Sequence, residues 1–179
     1  MSAPTNSPGS GPVAAMLEEV RVASGGRLLG LHSDLARSPS ALAAYLGLRH
    51  AAADYATLDP AVGAAIMLTV GAVDGGDYTQ AVATGLGIRA GMSEQQTMAA
   101  RSGQVDDVGT AALLTAMREA AANTGAVSKS AWDTAAAAGW SDQQLYEAFV
   151  HLALTVFCDY FTNYARTALD VPAAPPIQP

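Results

Sequence analysis

The sequence has 179 residues, half of them hydrophobic, and a formal net charge of −7. This length predicts one domain with a sizeable core, and the acidic excess argues against nucleic acid or an anionic membrane as a partner. The single cysteine, Cys158, excludes an internal disulfide and a cysteine-based zinc site. Because alanine is the best helix former and is abundant here, we expect an all-α protein.

The two ends of the chain are predicted to be tails. Residues 1–12 are rich in Pro, Gly and Ser and are expected to be disordered, and residues 171–179 are expected to be extended. The N-terminal segment lacks the basic and apolar regions of a secretory signal, and the uncharged run 60–73 is too short to span a bilayer. We therefore expect a soluble, cytoplasmic protein.

Helix start and stop signals divide residues 13–170 into about seven or eight helices with a long C-terminal helix. The predicted helices span residues 13–23, 40–56, 60–72, 77–90, 93–101, 106–123, 128–138 and 141–169. Asp59 is the expected N-cap before Pro60, Ser93 forms a capping box with Gln96, and Gly91 ends the preceding helix. No stretch alternates with period two, so no sheet is expected.

One short motif occurs twice. AGMSEQQ begins at Ala90 and AGWSDQQ begins at Ala138, 48 residues later, and five of the seven positions are identical. Each copy has a helix end, a glycine and a serine cap. The motif is either a favourable helix–turn–helix junction used twice or the trace of a duplicated hairpin, and a solenoid is not expected because the period occurs once.

The C-terminal helix has an apolar face and a polar stripe. The apolar face consists of Leu145, Phe149, Leu152, Val156, Phe157, Tyr160, Phe161 and Tyr164. The polar stripe consists of Glu147, His151, Thr155, Cys158, Asp159, Thr162 and Arg166. The stripe faces solvent, lines a cavity or lies in a subunit interface. Our hypothesis is that His151, Thr155 and Asp159 face a crevice roofed by residues 75–80.

Known catalytic and metal-binding motifs are missing from the sequence. Glu147 and His151 are one residue further apart than the Glu-x-x-His pair of helical diiron sites, and no second pair exists, so no metal is expected. His32 and His50 are isolated and are interpreted as surface or capping residues. Cys158 is interpreted as a small buried hydrophobe. No cofactor is expected, because neither a P-loop nor a dinucleotide fingerprint is present.

The segment VDGGDYTQAVAT contains a glycine pair directly before a predicted helix. Gly76 and the residues after it place free backbone N–H groups at the positive end of that helix, where a small anion can bind. The alternative is structural, because Asp77 in the first turn already supplies a negative charge.

Several of these motifs, in this order and spacing, resemble the carboxymuconolactone decarboxylase and alkylhydroperoxidase-D-like superfamily. The motifs are Asp59-Pro60, the apolar helix, VDGGDYTQAVAT, AGMSEQQ and FCDYFTNYARTALDVP, and the resemblance runs from about residue 38 to residue 172. It implies an all-α bundle of the alkylhydroperoxidase-D-like type with a central helical hairpin. It also implies a homo-oligomer, from dimer to hexamer.

The resemblance also implies where redox chemistry is missing. Redox members have Asn-x-Cys-x-x-Cys, a histidine four residues later and an upstream glutamate. In this chain the cysteine positions fall on Gly76 and Thr79, and the asparagine position falls on Asp74. The histidine position falls on Ala83 and the glutamate position on Ala64. We therefore predict a pseudoenzyme relative of peroxiredoxin-type proteins that has lost thiol peroxidase activity.

Two functions agree with these observations. The first is a small-molecule binding or other non-redox protein. The second is a cofactor-independent decarboxylase or lyase that acts on a small cyclic or carboxylated molecule by acid–base chemistry. If it is such a decarboxylase or lyase, Arg49, Arg89 or Arg166 is expected to meet an anionic group. The predicted pocket residues are Asp74, Asp77, Tyr78, Thr79, Gln80, His151 and Asp159.

Overall fold

The computed structural model describes residues 11–177, and helices account for most of this segment. The helices are α1 (Pro12–Ala23), α2 (Gly30–Leu35), α3 (Pro39–Asp54), α4 (Pro60–Asp74), α5 (Asp77–Arg89), α6 (Glu94–Ser102), α7 (Val108–Ala122), α8 (Lys129–Ala137) and α9 (Asp142–Ala165). No strand occurs among these described residues. The predicted all-α fold is confirmed, whereas the predicted tail residues 1–10 and 178–179 lie outside the described segment.

The predicted helix boundaries agree with the structure where short-range caps determine them. The Asp59 carboxylate accepts a hydrogen bond from the Ala61 N–H, and Pro60 is the first residue of α4. Both copies of the repeated motif form the same junction: Gly91 and Gly139 have φ values of 95° and 104°. A capping box then begins each following helix, at Ser93 before α6 and at Ser141 before α9.

Apart from boundary shifts of one or two residues, the helices differ from the predictions in two places. Helix α2 was not predicted, and it raises the number of helices in residues 11–177 to nine. Helix α9 ends at Ala165 rather than at residue 169, because Arg166 takes the left-handed conformation with a φ of 56°. The Thr167 N–H then bonds back to the Thr162 carbonyl and closes the last turn.

The core is organised around α4, which packs against α5, α6, α7 and α9. One apolar cluster joins α4, α7, α8 and the first half of α9. A second cluster joins α1, α2, α3 and the second half of α9. Because α9 contributes to both clusters, its buried side faces two different sets of helices. Among the described residues, none of the helices combines the length and apolar character that a membrane span needs.

Candidate functional site

A cavity of about 450 Å³ lies between α3, α4, α5 and α9, and Leu31 of α2 lies at its edge. We call it the apolar cavity. Its apolar walls include Leu31, Met67, Val82, Leu86 and Leu154. The polar side chains on its walls are Tyr45, Arg49, Asp59, Tyr78, Thr79, His151 and Cys158. Mostly hydrocarbon walls with a few polar groups are typical of small-molecule sites. A larger depression of about 850 Å³ along α6 contains none of the predicted site residues.

His151 lies on the cavity wall, against α4. A Cβ atom added to Gly63 would come within 2.8 Å of the His151 Cε1, so the glycine makes room for the ring. The Nδ1 atom is buried and has no hydrogen-bond partner among residues 11–177. Burial lowers the pKa of His151, and the negative charge of Glu147 opposes this shift. The imidazole is therefore neutral at pH 7 and has a ring nitrogen that is not committed to the protein.

Glu147, the neighbour of His151 on the same helix, has a structural contact of its own. Its carboxylate accepts hydrogen bonds from the backbone N–H groups of Thr57, at 2.9 Å, and Leu58, at 3.0 Å. These two hydrogen bonds hold the loop between α3 and α4. Burial alone would raise the pKa of Glu147, but these bonds and the one from the Thr57 hydroxyl keep it below its ordinary value. No group of three or more His, Cys, Asp or Glu residues within 11–177 is placed to hold a metal ion.

The α3 wall of the cavity contains Tyr45 and Arg49. These residues are four apart on α3, so both side chains lie on one face of the helix. The Tyr45 hydroxyl lies 3.2 Å from His32 Nε2, and His32 Nδ1 accepts a hydrogen bond from the Leu29 N–H at 3.0 Å. Arg49 is half-buried and makes neither an ion pair nor a hydrogen bond within the described residues.

The hydroxyl of Tyr78 is used for a structural contact. It donates a hydrogen bond to Asp170 Oδ1 at 2.8 Å and accepts one from the Leu31 N–H at 3.2 Å. Asp170 also accepts a hydrogen bond from the Gly30 N–H at 2.8 Å. Burial raises the pKa of Tyr78 above its ordinary value. The Tyr78 hydroxyl therefore connects α5, α2 and the C-terminal segment, while its ring forms part of the cavity wall.

A buried acidic cluster lies beneath the glycine junction. Asp159 is completely buried, and neither of its carboxyl oxygens has a hydrogen-bond partner in the described structure. Burial raises the pKa of Asp159 to about 7. The Thr79 hydroxyl lies close enough to oppose this rise, although it forms no hydrogen bond with the carboxyl group, and the negative charge of Asp74 adds to the rise. A Cβ atom on Gly76 would lie 1.8 Å from Asp159 Oδ1. The glycine therefore makes room for a carboxyl group, and Asp159 is absent from the cavity wall.

The remaining two predicted pocket residues also lie away from the cavity. The Gln80 amide donates to the Gly71 carbonyl at 3.1 Å, and its oxygen accepts from Arg101 Nε at 2.7 Å. Burial lowers the pKa of Arg101, and the charge of Asp77 opposes that shift. Asp77 itself is exposed. Of the seven predicted pocket residues, the structure brings Tyr78, Thr79 and His151 to one cavity.

The polar stripe of α9 is largely buried, which disfavours a solvated face among the three alternatives left open by the sequence. Thr155, Cys158, Asp159 and Thr162 are buried. The Thr155 hydroxyl donates to the His151 carbonyl at 2.7 Å, within the same helix, so Thr155 does not share the cavity with His151. The predicted apolar face is instead partly exposed, with exposed fractions of 51% for Phe149, 65% for Tyr160 and 89% for Tyr164.

The four positions that the resemblance aligned with the reactive residues of redox relatives lie in different environments. Ala64 and Thr79 line the apolar cavity, Gly76 contacts Asp159, and Ala83 is completely buried in the core. Cys158 lies on the cavity wall, and burial raises the pKa of its thiol to about 12.

The basic and histidine residues are placed as follows. Arg49 is the one predicted arginine on the cavity wall, because Arg89 and Arg166 are exposed and lie elsewhere. His50 pairs with Glu19 at the surface, and the buried His32 caps the start of α2.

Sequence reasoning missed Tyr45 and Gly63. The four-residue spacing of Tyr45 and Arg49 on a predicted helix was an available signal for the first, whereas nothing local distinguishes Gly63 from the other glycines.

Two comparisons with known proteins found similarities to this chain. The model of the carboxymuconolactone decarboxylase family matches residues 39–122, which confirms the predicted family resemblance. The crystal structure of a cysteine-to-alanine variant of the debrominase Bmp8, in complex with 2,3,4-tribromopyrrole, is similar, with a TM-score of 0.74 and 18% sequence identity. The similarity covers 91% of this chain and 86% of that chain. At this identity the likeness concerns the fold. No curated protein sequence matches the chain.

Proposed function

We propose that this chain, whose residues 39–122 match the model of the carboxymuconolactone decarboxylase family, binds a small and largely apolar molecule in the apolar cavity and has no thiol peroxidase activity. The observation that supports this most strongly is the cavity itself. Its volume of about 450 Å³ falls within the range for small-molecule sites, and its walls are mainly hydrocarbon.

The state of the single thiol supports the proposed absence of thiol peroxidase activity. A peroxidase of this family type needs a thiolate and a second cysteine, and Cys158 is the only cysteine in the chain. Its pKa of about 12 keeps it protonated at neutral pH. The two positions where redox relatives have cysteines are occupied by Gly76 and Thr79.

The structural neighbour suggests the first compound to test. The debrominase Bmp8 variant was crystallised with 2,3,4-tribromopyrrole, a small halogenated ring. We use that compound, and pyrrole as its smaller analogue, as probes of cavity binding by isothermal titration calorimetry. If tribromopyrrole binds the wild type, Val82→Trp should abolish binding because residue 82 lies on the cavity wall.

Ile88→Trp is the matched control for this substitution. It places the same large side chain on the same helix, at a residue that is 49% exposed and outside the cavity wall. It should leave binding unchanged. Equal binding by the wild type and Val82→Trp would contradict the proposal, and so would thiol-dependent turnover of an alkyl hydroperoxide.

The second candidate function is a cofactor-independent decarboxylase or lyase. It is favoured by the position of His151 on the cavity wall, because a neutral imidazole there can accept or return a proton. The test is incubation with carboxymuconolactone, following the release of carbon dioxide. An active protein should lose this activity in His151→Ala and keep it in His50→Ala, whose histidine lies at the surface. Equal activity in both variants would exclude His151 as the acid–base residue.

A further inference from the structure

We propose that Tyr45 and Arg49 form a carboxylate-binding subsite on the α3 wall, so that the cavity selects small apolar molecules bearing one carboxylate. This inference rests on the proposed binding function and adds the chemical class of the ligand. It depends on three observations, which concern the Tyr45 hydroxyl, the Arg49 guanidinium and the charged residues on the other cavity walls.

The first observation is that the hydrogen bonds around His32 have a fixed direction. Because His32 Nδ1 accepts from the Leu29 N–H, the proton of a neutral His32 is on Nε2. Nε2 therefore donates to the Tyr45 oxygen, 3.2 Å away. Burial and the charge of Arg49 lower the pKa of His32 to about 4, so this arrangement persists at neutral pH. The Tyr45 hydroxyl is left with its own proton and has no acceptor for it among residues 11–177.

The second observation is that Arg49 has no anionic partner. It lies one helical turn from Tyr45 on the same face of α3, and its guanidinium donors are unused within the described structure. The positive charge of Arg49 acts on both His32 and Tyr45. It lowers the pKa of His32 and opposes the rise in the pKa of Tyr45. Tyr45 and Arg49 therefore line the same side of the cavity.

The third observation concerns charge on the remaining walls. Among the cavity-lining residues, Arg49 is the only permanent cation and Asp59 is the only aspartate or glutamate. Asp59 is exposed, and its Oδ1 accepts the Ala61 N–H at 2.8 Å as the N-cap of α4. A guanidinium and a phenol O–H together match one carboxylate, since both of its oxygens accept hydrogen bonds.

The test compares a carboxylate with its neutral amide. The probes are 4-tert-butylbenzoate and 4-tert-butylbenzamide, which differ in charge at one end and share the same apolar body. We expect the wild type to bind the benzoate at least about tenfold more tightly than the benzamide, the size of effect that one charged hydrogen bond gives. Arg49→Met keeps an apolar stem and should remove this preference. Tyr45→Phe should weaken benzoate binding about fivefold and weaken benzamide binding less, because a hydrogen bond to a charged acceptor is stronger than one to an amide oxygen.

Arg89→Met is the matched control, because Arg89 is exposed and lies outside the cavity wall. It should keep the wild-type preference. His32 is tested as a positioning residue: His32→Leu should reduce the benzoate preference, and His32→Gln, which retains an acceptor and a donor, should restore it. A general loss of stability would weaken both probes alike and leave their ratio unchanged.

The outcomes separate this inference from the proposed function. Equal binding of both probes to the wild type, with both abolished by Val82→Trp, would support the cavity function and overturn the carboxylate subsite. A benzoate preference that survives Arg49→Met would also overturn it. Failure of both probes to bind the wild type would also overturn the carboxylate subsite. The cavity function is tested separately, by the binding of tribromopyrrole.

Discussion

The imidazole of His151 lies against Gly63 of α4, with room for the glycine hydrogen and none for a methyl group. The Cβ of an alanine at position 63 would lie 2.8 Å from His151 Cε1 and 3.3 Å from Nε2. The position of the one cavity-facing histidine therefore depends on the absence of a side chain on a neighbouring helix.

The contact between Gly63 and His151 predicts that Gly63→Ala changes stability in opposite directions in the presence and absence of the histidine. Gly63→Ala should destabilise the wild type by about 1 kcal/mol, because the overpacking outweighs the gain in helix propensity. In a His151→Ala background the same change should be stabilising by about 0.5 to 1 kcal/mol, since only the helix propensity gain remains. Urea unfolding of the four proteins measures this coupling. Equal effects in the two backgrounds would mean that the two residues do not interact.

His151 itself should affect ligand binding without affecting assembly. His151→Leu removes a buried nitrogen that has no partner, so we expect the free energy of unfolding to rise by about 1 kcal/mol. The oligomer mass should stay the same, because the residue lies on the cavity wall. Light scattering, thermal melting and probe titration check this. A changed mass would place His151 in a subunit interface instead, and a variant identical to the wild type in every respect would remove it from the site.

The buried carboxyl of Asp159 should make stability depend on pH. The pKa of Asp159 is about 7 in the folded protein, compared with its ordinary value of 3.8. Between about pH 4 and about pH 7 the folded state therefore binds more protons than the unfolded state. Stability should therefore fall as the pH rises from about 4 to about 7 and then level off. Asp159→Asn should raise the free energy of unfolding at pH 8 by more than about 1 kcal/mol and change it little at pH 4.

The neighbouring Asp77 provides the control for this measurement. Asp77→Asn removes an acid from the same junction, but the residue is exposed, so melting temperatures at both pH values should change little. A stability increase in Asp159→Asn that is the same at pH 4 and pH 8 would show that ionisation of Asp159 is not the cause.

The thiol of Cys158 should be unreactive in the folded protein. With a pKa of about 12, it is protonated at neutral pH and is also buried. We expect modification by a disulfide reagent at pH 8 to be slower by more than about a hundredfold than in denaturant, because the thiolate is the reacting form. Cys158→Ser should not alter hydroperoxide turnover, which should equal the background without protein. Rapid labelling of the native protein would contradict this environment.

The exposed aromatic side chains of α9 predict self-association. Tyr160 and Tyr164 are 65% and 89% exposed, on the helix that also holds the half-exposed Phe149. Aromatic residues grouped at the surface favour an interface, and a two-fold dimer is the simplest closed assembly. Light scattering at micromolar concentration should give at least a dimer, and Tyr160→Glu combined with Tyr164→Glu should lower the mass.

Tyr55→Glu is the control for the dimer prediction, because Tyr55 is 80% exposed and lies in the loop after α3 rather than on α9. It should keep the wild-type mass. A monomeric wild type would contradict the prediction directly.

The sequence alone determined the features that depend on contacts within a few residues. The start of α4 follows from Asp59 and Pro60, and the starts of α6 and α9 follow from Ser93 and Ser141, because a capping side chain bonds to the backbone two or three residues away. The presence of a single cysteine, Cys158, is also a matter of sequence alone, since no fold can supply a second sulfur.

Only the tertiary structure decided which polar groups are brought together. Helix α2 was not predicted because distant residues satisfy its first N–H groups: Asp170 binds Gly30 across 140 residues, and Tyr78 binds Leu31. The sequence left open whether the polar stripe of α9 is buried, because periodicity shows that a helix has two sides, but the neighbouring helices determine which side is buried. For the same reason His151 lines the apolar cavity while Asp159, two turns further along α9, is buried beneath Gly76.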